Sequence, residues 1–164
     1  METDAYIALG SNLGDRELNL LRAVSELGRL PGCRVTALSR FYETSPVGMP
    51  DDTPAFLNGT IRLTTELDPR DLLTELQRIE QQVFGRSASA TPVSRRMDLD
   101  LLLYGDQVLN TPDLTVPHPR LALRRFVLQP LAEIASDLVE PLSGKTISSL
   151  LKGLHSEERV TPLE

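Results

Sequence analysis

The apolar positions of this chain change period several times, and each change predicts an element. A short apolar run at 5–9 (AYIAL) reads as a buried strand, closed by the turn Gly10-Ser11-Asn12-Leu13-Gly14. Asp15 is placed to cap a helix whose apolar face reads as Leu18, Leu21, Val24 and Leu27, before Gly28 and Pro31-Gly32 end it. Residues 34–42, rich in β-branched and aromatic types, predict a second strand. The loop that follows, 43–55, carries Pro46, Pro50 and Pro54, whose restricted backbones suit one wall of a pocket as well as an ordinary surface connection. In FLNGTIRLTT, 56–65, strict alternation puts Leu57, Ile61 and Leu63 on one face and Phe56, Asn58 and Arg62 on the other.

Asp68-Pro69 then starts a helix with the apolar stripe Leu72, Leu76, Ile79 and Val83, and Gln77 and Glu80 lie three apart at its edge. GRSASATPVS, 85–94, has no periodicity and reads as a mobile loop. RRMDLDLLL, 95–103, reads as a strand with Asp98 and Asp100 on one face and Met97, Leu99, Leu101 and Leu103 on the other. Tyr104-Gly105-Asp106-Gln107 predicts a tight hairpin returning through Val108 and Leu109. In 115–131, TVPHPRLALRRFVLQPL, His118 stands between Pro117 and Pro119, which keeps it out of a helix interior. Residues 131–164 predict one or two short helices, one of them at 147–151, and a polar tail in which His155 is solvated.

Composition narrows the class. At 164 residues, 40% hydrophobic and 24% charged, the chain suits one globular domain, 1–164, with 153–164 as a mobile tail. Its one cysteine, Cys33, excludes an intramolecular disulfide framework and suits a reducing cytoplasm. No apolar run reaches membrane-spanning length, and no basic region precedes the first apolar segment, so neither a spanning helix nor a signal peptide is expected. The net charge of −6 and 4% aromatic content argue against a nucleic-acid surface. Between Arg86 and Arg125, however, six arginines face only Asp98, Asp100, Asp106 and Asp113, so the middle of an acidic protein is locally basic.

This locally basic middle changes how the two aspartates read. Most D-x-D triplets are solvated pairs on an exposed face, but these carboxylates lie inside an apolar run, directly after Arg95 and Arg96. Two carboxylates on one strand face suit Mg²⁺, which shares its coordination between carboxylates, water and substrate phosphates. Phe56 beside Asn58 can grip a flat heterocycle through ring contact and amide hydrogen bonds. His118 close to Arg124 and Arg125 is expected to favour its neutral form. Together these features suit a nucleoside triphosphate bound with Mg²⁺ beside a flat aromatic acceptor, with phosphates held by side chains, since neither glycine-rich phosphate motif is present.

Six blocks in order resemble one family: YIALGSNLGD at 6–15, FYETSPVG at 41–48, FLNGTI at 56–61, QRIE at 77–80, RRMDLDLLLYG at 95–105 and TVPHPRLALRRFVLQPL at 115–131. They are similar to the 6-hydroxymethyl-7,8-dihydropterin pyrophosphokinases of folate biosynthesis. The resemblance implies transfer of the diphosphoryl group of ATP to the pterin hydroxymethyl oxygen, giving AMP and the pterin diphosphate. It implies Asp98 and Asp100 as ligands of two Mg²⁺ ions and Arg86 and Arg95 as catalytic loop arginines, Arg95 also on ATP. It implies Gln77, His118 and Arg124 on the nucleotide side. For the pterin it implies Thr44, Ser45, Val47, Phe56, Asn58 and Phe126, with Glu80 between the substrates. The implied setting is a cytoplasmic monomer that binds neither nucleic acid nor membrane. The implied fold is α+β, a ferredoxin-like antiparallel sheet with helices packed on it in a three-layer α/β/α sandwich, and the order β-α-β-β-α-β followed by a hairpin agrees with it.

Three departures fall near the expected site, one being a loop poorer in basic residues, with Ala88 and Ser89 where charge is common. The family's RWGPR is replaced by TPVSR at 91–95, with Pro92 where tryptophan is usual, and Asp113 occupies a position where a basic residue can assist ATP. An active enzyme is expected, with the difference falling on lid closure or rate. A metal-dependent phosphohydrolase is the nearest rival, though no further carboxylate or histidine set stands out for a second protein-held metal site.

Overall fold

FLNGTIRLTT becomes the longest strand among the described residues, and the sheet is assembled around it. The computed structural model describes residues 1–44, 55–85, 97–156 and 159–163. In chain order the strands are β1 (Thr3–Ser11), β2 (Cys33–Leu38), β3 (Tyr42–Thr44), β4 (Phe56–Thr65), β5 (Asp98–Tyr104), β6 (Leu109–Asn110), β7 (Thr115–Val116) and β8 (Val160–Pro162). The helices are α1 (Arg16–Gly28), α2 (Pro69–Arg78), α3 (Arg125–Ala135) and α4 (Ile147–Lys152). The main sheet runs β5-β1-β4-β3-β8, with β2 also paired to β4, and every pairing is antiparallel. This is the expected α+β, ferredoxin-like order, with two strands antiparallel to β1 on either side of it.

Helices cover both faces. Leu20, Ala23 and Leu27 of α1 and Leu72 and Leu76 of α2 bury against Ile7, Leu9, Leu57, Ile61, Leu63, Leu99 and Leu101. On the other face, Val127, Leu128 and Leu131 of α3 and Ile147 of α4 close over Tyr6, Leu102 and Leu103. Asp68 accepts from Asp71 N and Pro69 opens α2, as the local signals predict. The helix then widens into a π-helical turn, Ile79–Val83, which the sequence does not announce.

Several expectations are corrected. The buried stripe of α1 is Leu20, Ala23 and Leu27, whereas Leu18 and Leu21 are exposed. Two apolar series overlap in this helix, and the one containing small Ala23 fits closer to the sheet. The strand expected at 34–42 is divided into β2 and β3. Between them Ser39 Oγ accepts the Thr60 N–H at 2.9 Å, so a side chain stands in where the ladder is interrupted. The hairpin expected after Tyr104 does not return along β5, because β6 pairs with β7 in a separate two-stranded sheet. Helix α3 runs through Pro130, a residue that argues against a helix from sequence alone, and is held by the burial of Val127, Leu128, Pro130 and Leu131. Within the expected tail, Val160–Pro162 forms β8 on β3.

Strand β5 also departs from simple alternation. Opposite Tyr6 and Ile7 of β1 stand Leu103 and Leu101, so Leu102 is an extra residue, a β-bulge. Leu102 and Leu103 consequently both face α3, and Leu103 does not share the Leu99 and Leu101 face. Tyr104 turns to the α2 side, where its hydroxyl donates to the Leu67 carbonyl.

Candidate active site

One row of residues crosses the α3-facing side of the sheet. Asp98 of β5 pairs with Gly10 of β1, Gly10 pairs with Asn58 of β4, and Asn58 pairs with Tyr42 of β3. Paired residues share a face, and neighbouring strands lie about 4.8 Å apart, so Asp98 and Asn58 stand roughly 10 Å from each other. Gly10 leaves the floor between them bare. A Cβ there would come within 3.0 Å of Asn58 Oδ1 and 3.7 Å of Phe56 Cδ1. Asp100, opposite Ala8, projects from the same face one step along β5. Both aspartates are half-buried.

The Asn58 end of the row is ordered by hydrogen bonds. Asn58 is buried, and its Nδ2 donates to Thr44 Oγ1 at 2.7 Å. Thr44 pairs with Phe56, so the half-buried Phe56 ring lies beside this amide. Tyr42 Oη donates to Glu133 of α3, whose second oxygen accepts the Arg40 N–H at 2.7 Å. Burial, and then the bond to Glu133 and its negative charge, push the Tyr42 hydroxyl up to about 12, with Arg40 acting the other way. Phe126, on α3, is half-buried on the same side of the sheet, and the Arg124 guanidinium carbon lies 5.4 Å from its ring centroid.

At the Asp98 end, His118 is tied to β5 because its N–H donates to the Leu102 carbonyl at 2.9 Å. The segment enters through a cis Val116–Pro117 peptide. His118 Nδ1 accepts the Arg120 N–H at 3.1 Å, so the neutral ring carries its proton on Nε2. Burial, then the charges of Arg124 and Arg120, hold His118 below its ordinary range, while Asp98 opposes them.

Glu80 sits against the edge of the aspartate strand. It is buried in the π-helical turn, and its Oε2 accepts the Leu99 N–H at 2.8 Å, at the edge of β5. It therefore contacts the backbone between the two aspartates from the side of the sheet. Gln77, one turn earlier on α2, is exposed. Asp113 is engaged by Arg70 at 2.6 Å and by Thr111 Oγ1 at 2.9 Å, and the Thr111 bond leads the effects that lower its carboxyl pKa. Ser45, Val47, Arg86 and Arg95 lie outside the described residues.

The structure thus brings together Thr44, Phe56 and Asn58 at one end of the row and Asp98, Asp100 and His118 at the other. Sequence reading missed Gly10 as the gap between them, a feature visible only in the pairing of FLNG with IALG. Among the described residues, no group of three or more His, Cys, Asp or Glu side chains converges as a metal cage. A two-carboxylate donor set fits a hard cation that completes its shell with water and phosphate oxygens. No helix among the described residues is long and apolar enough to cross a membrane.

Known proteins resemble this chain in sequence and in fold. The family model for 7,8-dihydro-6-hydroxymethylpterin-pyrophosphokinase (HPPK) matches residues 6–136. The 2-amino-4-hydroxy-6-hydroxymethyldihydropteridine pyrophosphokinase of Synechocystis sp. is 43% identical over 148 residues, covering 90% of this chain and 74% of its own. The protein of the same name from Haemophilus influenzae is 43% identical over 148 residues, covering 90% of this chain and 91% of its own. The crystal structure of Plasmodium falciparum HPPK-DHPS with pteroate shares the fold, with a TM-score of 0.73 at 16% identity, over 93% of this chain and 42% of that one.

Proposed function

This chain belongs to the 7,8-dihydro-6-hydroxymethylpterin-pyrophosphokinase family, and on that premise we propose how its residues divide the reaction. The enzyme transfers the diphosphoryl group of ATP to 6-hydroxymethyl-7,8-dihydropterin in folate biosynthesis. The hydroxymethyl oxygen bonds to the β-phosphorus, the bond from that phosphorus to the α,β-bridging oxygen breaks, and AMP leaves. The oxygen's proton passes to solvent in the same process.

The observation that carries the assignment of roles is the Asp98–Gly10–Asn58 row. Asn58, steadied by Thr44, reads the edge of the pterin, and Phe56 and Phe126 hold its flat faces, with Ser45 and Val47 completing the pocket. The bare backbone at Gly10 leaves room for the hydroxymethyl arm to point toward the aspartates. Asp98 and Asp100 hold Mg²⁺, in the form of two ions brought with ATP. When bound, the metal supplies charge neutralisation to the triphosphate. His118 donates from Nε2 to a phosphate oxygen, and Arg124 and Gln77 contribute on the nucleotide side. Arg86 and Arg95 steady the transferring group as charge shifts. Glu80, between the substrates, also supports the metal-binding strand through the Leu99 N–H. Positioning and electrostatics suffice, without a covalent enzyme intermediate. The setting is a cytoplasmic monomer that acts on ATP and a pterin, with no nucleic-acid or membrane partner, a reading supported by the net charge of −6.

Incubation with ATP, Mg²⁺ and 6-hydroxymethyl-7,8-dihydropterin should yield AMP and the pterin diphosphate in equal amounts. ADP or free phosphate as the main product would overturn the reading, the latter in favour of a phosphohydrolase. Asp98→Asn and Asp100→Asn should each lower turnover on the order of a hundredfold while the fold persists.

A further inference from the structure

Resting on the pterin assignment above, we propose that Arg16 is a positioning residue for the pterin face, gripping from the opposite side of the sheet the strand ends that carry Thr44 and Phe56. Arg16 is the first residue of α1. Its guanidinium makes two directed contacts, Nη1 donating to the Ala55 carbonyl at 2.9 Å and Nη2 to Glu43 Oε1 at 2.7 Å. Glu43 directly precedes Thr44, and Ala55 directly precedes Phe56. Thr44 with Phe56 is the last pair of the β3–β4 ladder among the described residues, and Ala55 is the neighbour of Phe56 at that end. Arg16 thus bridges β3 and the start of β4 at this end of the pair.

Alternation decides the side from which it acts. Tyr42 and Thr44 are buried toward α3, whereas Glu43, opposite Leu57, faces the side on which α1 packs. Arg16 therefore touches neither the ring nor the amide that would meet a pterin. It fixes the backbone from which both project.

Two features make this more than a surface ion pair. A cation in the first turn of a helix opposes the positive end of the helix dipole, so Arg16 stands at a position that α1 itself disfavours. The contact is also a planar fork spanning a carboxylate and a main-chain carbonyl, which sets direction as well as distance. The side chains are 28% and 45% exposed, so the pair adds little to global stability. Its effect is confined to the strand ends it joins.

The test separates pterin from nucleotide. Arg16→Ala should raise the KM for the pterin roughly fivefold to tenfold, a loss of the size of one directed contact, with kcat and the KM for ATP within about twofold of the parent. Glu43→Ala should act in the same direction, and adding it to Arg16→Ala should change little further, because the two share one contact. Arg16→Lys, which keeps the charge but not the fork, should resemble Arg16→Ala. Direct binding of the pterin, in the presence of an ATP analogue with a methylene between the α- and β-phosphorus atoms, should weaken by the same factor. An unchanged pterin KM in Arg16→Ala and Arg16→Lys, or a parallel rise in the KM for ATP, would overturn the inference. A parent enzyme that makes no pterin diphosphate would instead overturn the functional reading on which it rests.

Discussion

The buried carboxylate of Glu80 accepts the main-chain N–H of Leu99 at 2.8 Å, and Leu99 is the residue between Asp98 and Asp100. Among the described residues strand β5 is paired on one side only, and this bond engages its outer edge where the two aspartates are mounted. Glu80→Leu leaves a buried amide unpaired and should cost about 1–3 kcal/mol of stability, read by urea denaturation. It should also raise the Mg²⁺ concentration needed for half-maximal activity by about 10- to 100-fold, the range seen when a support behind metal ligands is removed. Glu80→Gln retains an acceptor and should stay close to the parent in both measurements. Equal Mg²⁺ requirements in all three proteins would dismiss the support role.

Gly10 tests the gap in the cross-sheet row. A methyl group at this position would stand 3.0 Å from Asn58 Oδ1, so the amide must shift by a few tenths of an ångström in Gly10→Ala. The expected result is a higher KM for the pterin with an unaltered KM for ATP, measured by steady-state kinetics. If nucleotide and pterin suffer alike, Gly10 does not separate their sites.

His118 should make stability depend on mild acid. Its folded-state pKa lies below the ordinary 6.5, first through burial and then through Arg124 and Arg120. The unfolded chain therefore takes up this proton first as pH falls. The neutral ring's contribution is complete above 6.5 and is lost as pH drops through 6.5 toward the folded-state value. Urea midpoints of the parent relative to His118→Gln should converge as pH is lowered from 8 to 5. A constant difference would show that the ring does not titrate as its surroundings dictate.

Tyr42 gives the opposite sign. Its hydroxyl is raised from 10.0 to about 12 by burial and by the Glu133 carboxylate that receives its hydrogen bond. The contribution of this bond is present below 10 and fades as pH climbs from there through about 12. Tyr42→Phe should cost about 1 kcal/mol at neutral pH and remove this part of the alkaline loss, as followed by denaturation at pH 8 to 11. Identical alkaline profiles would remove the coupling between β3 and α3.

What could be read before the fold was known divides along a physical line. Strand β4 and the start of α2 were legible because alternation, Asp68 and Pro69 act within a few residues of chain. The candidate ligands Asp98, Asp100, Asn58 and His118 were legible as residue types, and their roles came from resemblance to a family. Their arrangement in a row was not, since register between β1, β4 and β5 depends on residues 46 to 99 positions apart. The face of α1 was misread in part, Leu27 excepted, because Leu18 and Leu21 compete with Leu20 and Ala23 for a helical spacing, and only the sheet decides between them. Glu80 looked like a polar helix flank until the π-helical turn brought it to the Leu99 N–H of β5 as a buried partner.

The extra leucine of β5 sets the phase of two different jobs on one strand. Before it, even-numbered Asp98 and Asp100 face α3, while after it odd-numbered Leu103 takes that side and Tyr104 turns to Leu67. Deleting one residue here would leave a strand able to satisfy only one of its halves. Either the carboxylates would rotate into the apolar layer beneath α1 and α2, or Tyr104 would swing away from its carbonyl. The chain can therefore vary the chemistry of each half independently, but not the count of residues between them.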